Sequence, residues 1–362
     1  MEKLEKLTRL VADGRHNAFT SMTRFGQAIY LTYRTSGGHG ASDGQVVLLC
    51  SKDEGRNWEK LNSPFQAGRN YYEGFLIEFK GKLFMYAGAF ESNLPVSQQL
   101  SSEYAAWTQD GINWSEPQAI EPAKWRFWHP VIIGDSLYAA RYRLTTRENM
   151  TEDGIFPAEN WEVDLIRSAD GLDWEFVSEI SRNEAGNECE LFYDGEKLTA
   201  FVRRENCPCT LGMRVSFSPF EKWSAVQDFG VCVQGMVVKE VNNRRFLFGR
   251  QKISSSLIGS VYGDRSHISV QGYVWEPKIG YWVNYLQLPG AADCSYPGII
   301  KLDDQRMLIS YYSQHEYLND PDFSDMDKYS DIFLAVVRTD GKIEWGKIVP
   351  YAVNLLKKHG VL

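Results

Sequence analysis

The chain has 362 residues, 43% hydrophobic and 24% charged, with a formal net charge of −8. That composition excludes intrinsic disorder, and the negative balance excludes a general nucleic-acid binder. The N-terminal stretch Met1–Leu7 lacks the apolar core of a signal peptide, and no apolar run approaches the roughly 18–20 residues of a membrane-spanning helix. A cytoplasmic location, with neither membrane nor nucleic acid as partner, is therefore expected.

Six cysteines in a chain of this length do not form a disulfide framework. Cys207 and Cys209 form a C-x-C pair, but no second Cys/His cluster at zinc spacing completes it, so no metal is expected. No glycine-rich phosphate loop appears at a strand-to-helix turn, so no cofactor is expected either.

Helical periodicity is scarce. Short runs of Val, Ile, Phe, Tyr and Leu alternate with Gly, Asp and Asn turns, which is an all-β pattern. One unit recurs: an apolar strand, a tight turn, and a second strand often closing on Arg. Copies begin at Ala18, Gly74, His129, Glu188, Gln234 and Ser295, and their second strands close near Arg34, Ala89, Arg143, Arg204, Arg250 and Tyr312. Six units of this length predict a single domain over residues 1–362. The expected fold is a six-bladed β-propeller of four-stranded antiparallel blades, with the chain ends sharing the closing blade.

A second repeat marks the turns. Ser51–Trp58 fits S-x-D-x-G-x-x-W, and Thr108–Trp114 and Ser168–Trp174 are forms one residue shorter. Thr339–Trp345 is a degraded copy, and Ser216–Trp223 and Trp275–Trp282 fall where weaker copies belong. Asp and Ser suit bonding to a turn backbone, Gly supplies positive φ, and Trp packs between sheets. These turns resemble the Asp boxes of sialidase-type propellers, the BNR repeats.

In a propeller the inner strands converge at one mouth of the channel. The repeat phase places Arg34, Arg143, Arg204 and Arg250 at equivalent strand ends, and Glu73, His129, Glu188 and Tyr296 at equivalent strand starts. Several guanidinium groups facing one cavity are costly unless they serve an anion, and a bidentate carboxylate is the natural guest. Aromatic residues cluster at the same end (Tyr71, Tyr72, Trp125, Phe127, Trp128, Tyr311, Tyr312) and suit stacking on sugar rings.

The resemblance extends to two blocks. Asn187–Gly195, followed by Arg204, looks like the sialidase block that carries an active-site Glu and, about sixteen residues later, a carboxylate-binding Arg. Ser295–Ile300, followed by Leu308–Tyr312, resembles the block of the nucleophilic tyrosine. The resemblance implies an exo-acting glycoside hydrolase that cleaves a terminal acidic sugar, a sialic acid or a related keto-sugar or uronic acid. Tyr296 would be the nucleophile and Glu188 its base, with Arg204 and Arg250 clamping the carboxylate. A neutral phenol suits an anomeric carbon that already bears a carboxylate, because a carboxylate nucleophile would be repelled. The general acid would lie in the Gly-rich loop Thr35–Gly44, as Asp43 or alternatively His39.

This chain departs from the family at the first strand. The Phe/Tyr-Arg-Ile-Pro motif is absent, His16 or Asn17 takes its place, and Arg34 is the available substitute. Two further readings stay open. One is a polysaccharide lyase or neutral-sugar glycosidase on the same propeller, with Tyr296 or His129 moving protons in the lyase. The other is a non-catalytic propeller that binds glycan or protein.

Overall fold

The computed structural model describes residues 2–66, 68–90, 101–121, 124–146, 156–205, 210–252, 268–319 and 329–343. Cys207, Cys209 and Trp345 lie outside these residues. No helix among the described residues is long and apolar enough to cross a membrane.

Six antiparallel sheets make the six blades of a propeller. Blade 1 runs outward as β2 (His16–Phe25), β3 (Ala28–Ser36), β4 (Gln45–Ser51) and β5 (Glu59–Leu61). Blade 2 has its inner strand in two pieces, β6 (Asn70–Tyr71) and β7 (Phe75–Phe79), then β8 (Lys82–Phe90), β9 (Ser101–Thr108) and β10 (Gln118–Glu121). Blade 3 repeats this with β11 (Arg126–Phe127) and β12 (Val131–Ile133), then β13 (Ser136–Leu144), β14 (Trp161–Ser168) and β15 (Trp174–Arg182).

Blade 4 comprises β16 (Gly186–Tyr193), β17 (Lys197–Arg204), β18 (Gly212–Phe217) and β19 (Gln227–Asp228). Blade 5 comprises β20 (Cys232–Val241), β21 (Arg244–Lys252), β22 (Ser269–Glu276) and β23 (Tyr281–Leu288). Blade 6 is β24 (Cys294–Lys301), β25 (Arg306–Ser313) and β26 (Asp331–Arg338), closed on its outer edge by β1 (Leu4–Val11). The N-terminal strand thus pairs antiparallel with β26 and ties the ring shut, as the repeat phase predicts.

The core lies between blades. Because each sheet is covered on both faces, second strands are continuous apolar runs rather than alternating ones: Leu83–Ala87 in β8 is buried at every position. Tyr86 stacks on Phe127 at 4.8 Å between ring centres, and Phe127 meets Trp174 edge-on at 5.0 Å, which joins blades 2 and 3.

The three Ser/Thr-x-Asp turns join the third and fourth strands of blades 1, 2 and 3. In each, the hydroxyl accepts from the glycine N–H: Gly55 to Ser51 at 2.9 Å, Gly111 to Thr108 at 3.0 Å and Gly171 to Ser168 at 2.8 Å. In each, the Asp carboxylate accepts two further backbone N–H groups; for Asp110 these are Ile112 and Asn113, at 2.9 and 2.8 Å. These bonds hold the Asp53 carboxyl down at about 2.

The turn glycines also press on the preceding blade. Gly111 has φ +77°, and a Cβ there would lie 1.9 Å from the Tyr30 hydroxyl of β3. Gly14 has a similar φ of +76° with nothing within 4 Å of its Cβ position. Gly14→Ala is expected to cost about 1 kcal/mol, the left-handed backbone penalty alone. Gly111→Ala should cost a further ~1–3 kcal/mol because Tyr30 must be displaced. Denaturant midpoints of the two variants measured side by side check this; equal midpoints would refute the interblade role of the turn.

Candidate active site

Every inner strand leaves its ladder at the same height. In β2, β16, β20 and β24 two residues bulge opposite one on the partner strand: Phe19–Thr20, Asn187–Glu188, Gly235–Met236 and Tyr296–Pro297. In blades 2 and 3 three residues interrupt the strand, Tyr72–Gly74 and Trp128–Pro130. Bulges of this kind re-aim side chains. Several put residues in the left-handed region, with φ of 57° at Phe19, 129° at Ser295 and 49° at Tyr296. Strained backbone of this type clusters at functional sites. Gly235, at φ +51°, has no alternative: a Cβ would lie 2.7 Å from the Tyr296 ring.

Two of these bulges bring Tyr296 and Glu188 together. The Tyr296 hydroxyl donates to Glu188 Oε1 at 2.5 Å, and both residues are buried. Arg203 Nη1 donates to the same oxygen at 2.6 Å, and its Nη2 pairs with Glu205 at 2.6 Å. The Gly235 N–H reaches Glu188 Oε2 at 3.3 Å. Burial, and then the Glu188 charge, push the Tyr296 phenol well above its ordinary pKa, against the opposing charges of Arg203 and Arg250. The phenol is neutral and hydrogen-bonded to Glu188.

Arg203 is therefore the arginine on Glu188, while Arg204, expected to clamp a substrate carboxylate, is engaged elsewhere. Neighbours on β17 point to opposite faces, and Arg204 turns away, donating through Nε to the Thr210 carbonyl at 2.7 Å and through Nη2 to Asp228 at 2.7 Å. The register sets Arg203 opposite the two bulged residues, Asn187 and Glu188. The adjacent Arg203–Arg204 dipeptide is the sequence signal that could have pointed there.

Beside this pair lies a carboxylate that the sequence reading missed. Asp293, in the loop before β24, is 2% exposed and fully bonded. Its Oδ1 accepts from Arg250 Nη1 at 3.0 Å and from the Tyr312 hydroxyl at 2.7 Å. Its Oδ2 faces His16 Nε2 at 3.1 Å and His39 Nδ1 at 2.7 Å. Its backbone N–H donates to Gln314 Oε1 at 2.9 Å.

Burial alone would raise the Asp293 carboxyl. The bonds from the two histidines and the charges of His39 and Arg250 outweigh it and hold the group well below the carboxylate range. Burial lowers His16, whereas at His39 the bond and charge of Asp293 overcome burial and raise it. The Phe19 ring lies between the two groups, 4.8 Å from Tyr296, 5.7 Å from His39 and 5.7 Å from Tyr312. The nitrogens of His16 and His39 and an Asp293 oxygen lie within 4.8 Å of one another and could hold a metal ion.

The remaining expected residues fall into other roles. Arg34 is fully buried but faces no open clamp. Its guanidinium donates to the carbonyls of Tyr71, Gly38, His39 and Ala41 and so braces the Gly-rich loop, with the Tyr72 ring 4.3 Å away. Asp43 sits at that loop's exposed edge, bonded to Arg15 Nη2 and to the Gly37 N–H, both at 2.8 Å. Burial opposes its charge, but those bonds lower its pKa.

Arg143 pairs with Glu162 at 2.6 Å over the Trp125 ring. The residue at the Arg250 position of blade 3 is Arg141, opposite Phe127, and it is held by Asp164 at 3.3 Å. Glu73 pairs with Arg126, which also faces Glu103 at 3.1 Å. His129 donates through Nδ1 to Glu190 at 2.5 Å. Of the expected aromatics, Tyr71 packs on Phe65 and Tyr311 on Phe333 in the core, whereas Trp128, 5.8 Å from Tyr296, joins the site.

Asp293→Asn should cost about 3–5 kcal/mol at neutral pH, because Arg250 is left buried without its counter-charge. The folded carboxyl lies below its unfolded value of 3.8, so the contribution is present above that pH and fades as pH falls through the folded value. The stability gap between wild type and variant, read by urea denaturation from pH 7 downward, should narrow in acid. A gap independent of pH would refute the ionised hub.

No protein-family model and no curated protein sequence matches the chain. Solved structures do. A protein of unknown function from Dyadobacter fermentans superposes with a TM-score of 0.70 at 15% identity, over 92% of this chain and 100% of that one. Phage phi92 endosialidase gives 0.66 at 10% identity, over 96% and 71% of the two chains. Trypanosoma rangeli sialidase gives 0.64 at 12% identity, over 96% of this chain but 58% of the sialidase, so this chain spans little more than half of that enzyme. At these identities the likeness is one of architecture, and the chain has the six-bladed propeller fold of the sialidases.

Proposed function

We propose that the chain is a glycoside hydrolase that works through Tyr296 and acts on a terminal acidic sugar. The observation that carries this reading is the 2.5 Å bond from the Tyr296 hydroxyl to Glu188 Oε1, with Arg203 on the same oxygen. Tyr296 Oη attacks the anomeric carbon, its proton passes to Glu188, and the bond to the leaving oxygen breaks, an aryl group departing as its phenolate. Water then attacks the tyrosyl-linked carbon and breaks its bond to Tyr296 Oη, Glu188 returns its proton to that oxygen, the water gives up its own proton to the departed phenolate, and the sugar is released with retained configuration. Arg203 Nη1 orients Glu188 toward the phenol. Arg250 and Tyr312 line the same mouth.

The His129–Glu190 pair favours a second reading, a polysaccharide lyase in which His129 abstracts a proton next to a uronate carboxylate. Its product would be an unsaturated sugar absorbing in the near ultraviolet.

A panel of fluorogenic aryl glycosides, led by the sialic acid derivative, separates these. An aryl group leaves as its phenolate, so the assay needs no general acid. Glu188→Gln should lower kcat about 10²–10⁴-fold, and Tyr296→Phe at least as much, with both variants folded. Release undiminished in Tyr296→Phe would discard the nucleophile. Silence across the panel with an ultraviolet-absorbing product from a polyuronate would favour the lyase. Silence in both assays would point to a binding propeller.

A further inference from the structure

We infer that His16, His39 and Asp293 form a binding site for one divalent transition-metal ion, of the Zn²⁺ or Mn²⁺ class, at the mouth of the channel. The three donors come from separate elements: the first residue of β2, the loop after β3 and the loop before β24. Asp293 Oδ2 lies 3.1 Å from His16 Nε2 and 2.7 Å from His39 Nδ1, and the three donor atoms lie within 4.8 Å of one another. Ligands about 2.0–2.2 Å from a shared ion stand roughly 3–3.5 Å apart, so an ion would take the place of the two hydrogen bonds on Oδ2 after small shifts of the three side chains. Two imidazoles and one carboxylate are a donor set for zinc, manganese or ferrous iron rather than for calcium or magnesium.

The surroundings are built to keep that arrangement. Arg250 and Tyr312 occupy Oδ1 only, which leaves Oδ2 turned toward the histidines, and outer contacts of this type orient metal ligands. Arg34 holds the carbonyls of Gly38, His39 and Ala41, so the loop presents His39 in a fixed place. His16 and Asp293 are buried, whereas the His39 side chain is 45% exposed, so the open coordination positions face solvent.

Those positions would take an anionic oxygen of the ligand. Under the glycosidase reading above this would be the sugar carboxylate, and the cation would stand in for the arginine absent at His16. The metal site itself does not depend on that reading.

The test is calorimetric titration of chelator-stripped full-length chain with ZnCl2 and, separately, MnCl2, with elemental analysis after desalting. Wild type should bind one equivalent of at least one ion at micromolar Kd, and His39→Ala should weaken that at least tenfold while keeping the wild-type circular dichroism. If His39→Ala does not fold, Co²⁺ decides: coordination by the wild type should shift and intensify the visible bands of the aqueous ion, and an excess of Zn²⁺ should reverse the change. No binding of either ion, binding unchanged in His39→Ala, or Co²⁺ bands unchanged from those of the aqueous ion would overturn the proposal. Metal binding without glycoside release would sink the hydrolase reading and leave the metal site standing.

Discussion

Each inner strand gives up its ladder for two or three residues at the channel mouth, and the candidate site depends on that interruption. A regular strand would send Tyr296 and Glu188 alternately to the two faces of their sheets, into the interblade core. The bulges instead turn both toward each other across blades 4 and 6. The backbone cost is visible as positive φ at Phe19, Ser295 and Tyr296. It is sustained by the surrounding frame: Ser295 Oγ donates to the Gly235 carbonyl at 2.7 Å, and Thr20 Oγ1 to the Tyr296 carbonyl at 2.7 Å. Three blades are thereby locked around one phenol, and Gly235 supplies the gap its ring fills.

The fold was legible because its signal is repeated. Six hairpins at one phase and three turns with a shared hydrogen-bond logic constrain a ring far more than any one segment could. The sharing of the closing blade by β1 and β26 follows from the same phase. The pairing of Tyr296 with Glu188 was legible only through the resemblance of their two blocks to those of the sialidases; the repeat phase places both at equivalent strand starts but does not single out that pair.

What was not legible turns on single-residue detail. Arg204 keeps the ladder position of Arg34 and Arg250, yet it is Arg203, opposite the bulge at Asn187–Glu188, that meets Glu188. The phase likewise selects Arg143 where the register selects Arg141. Arg34 has the right phase but a different task, because the loop it braces closes back over it. Asp293 stands in no repeat and belongs to no motif. Nothing in a linear reading marks a lone carboxylate in a Gly-Ala-Ala-Asp loop as the partner of an arginine, a tyrosine and two histidines.

The electrostatics of the mouth follow from that missed residue. A set of inward arginines was expected to await an anionic guest, since buried guanidinium groups need counter-charge. The chain supplies the anions itself: Glu188 and Glu205 for Arg203, Asp293 for Arg250, Glu73 and Glu103 for Arg126. Such a mouth is close to neutral before any ligand arrives, and the buried pairs stabilise it only while they stay intact. An anionic sugar would gain little from guanidinium groups already engaged. It would gain more from charge added at the one place where two imidazoles and a carboxylate oxygen converge beside solvent. A divalent ion at His16, His39 and Asp293 would make this mouth net positive without breaking any of the arginine pairs. Under the proposed hydrolase reading, the neutral phenol of Tyr296 is then a group that a sugar bearing its own carboxylate could approach without charge repulsion.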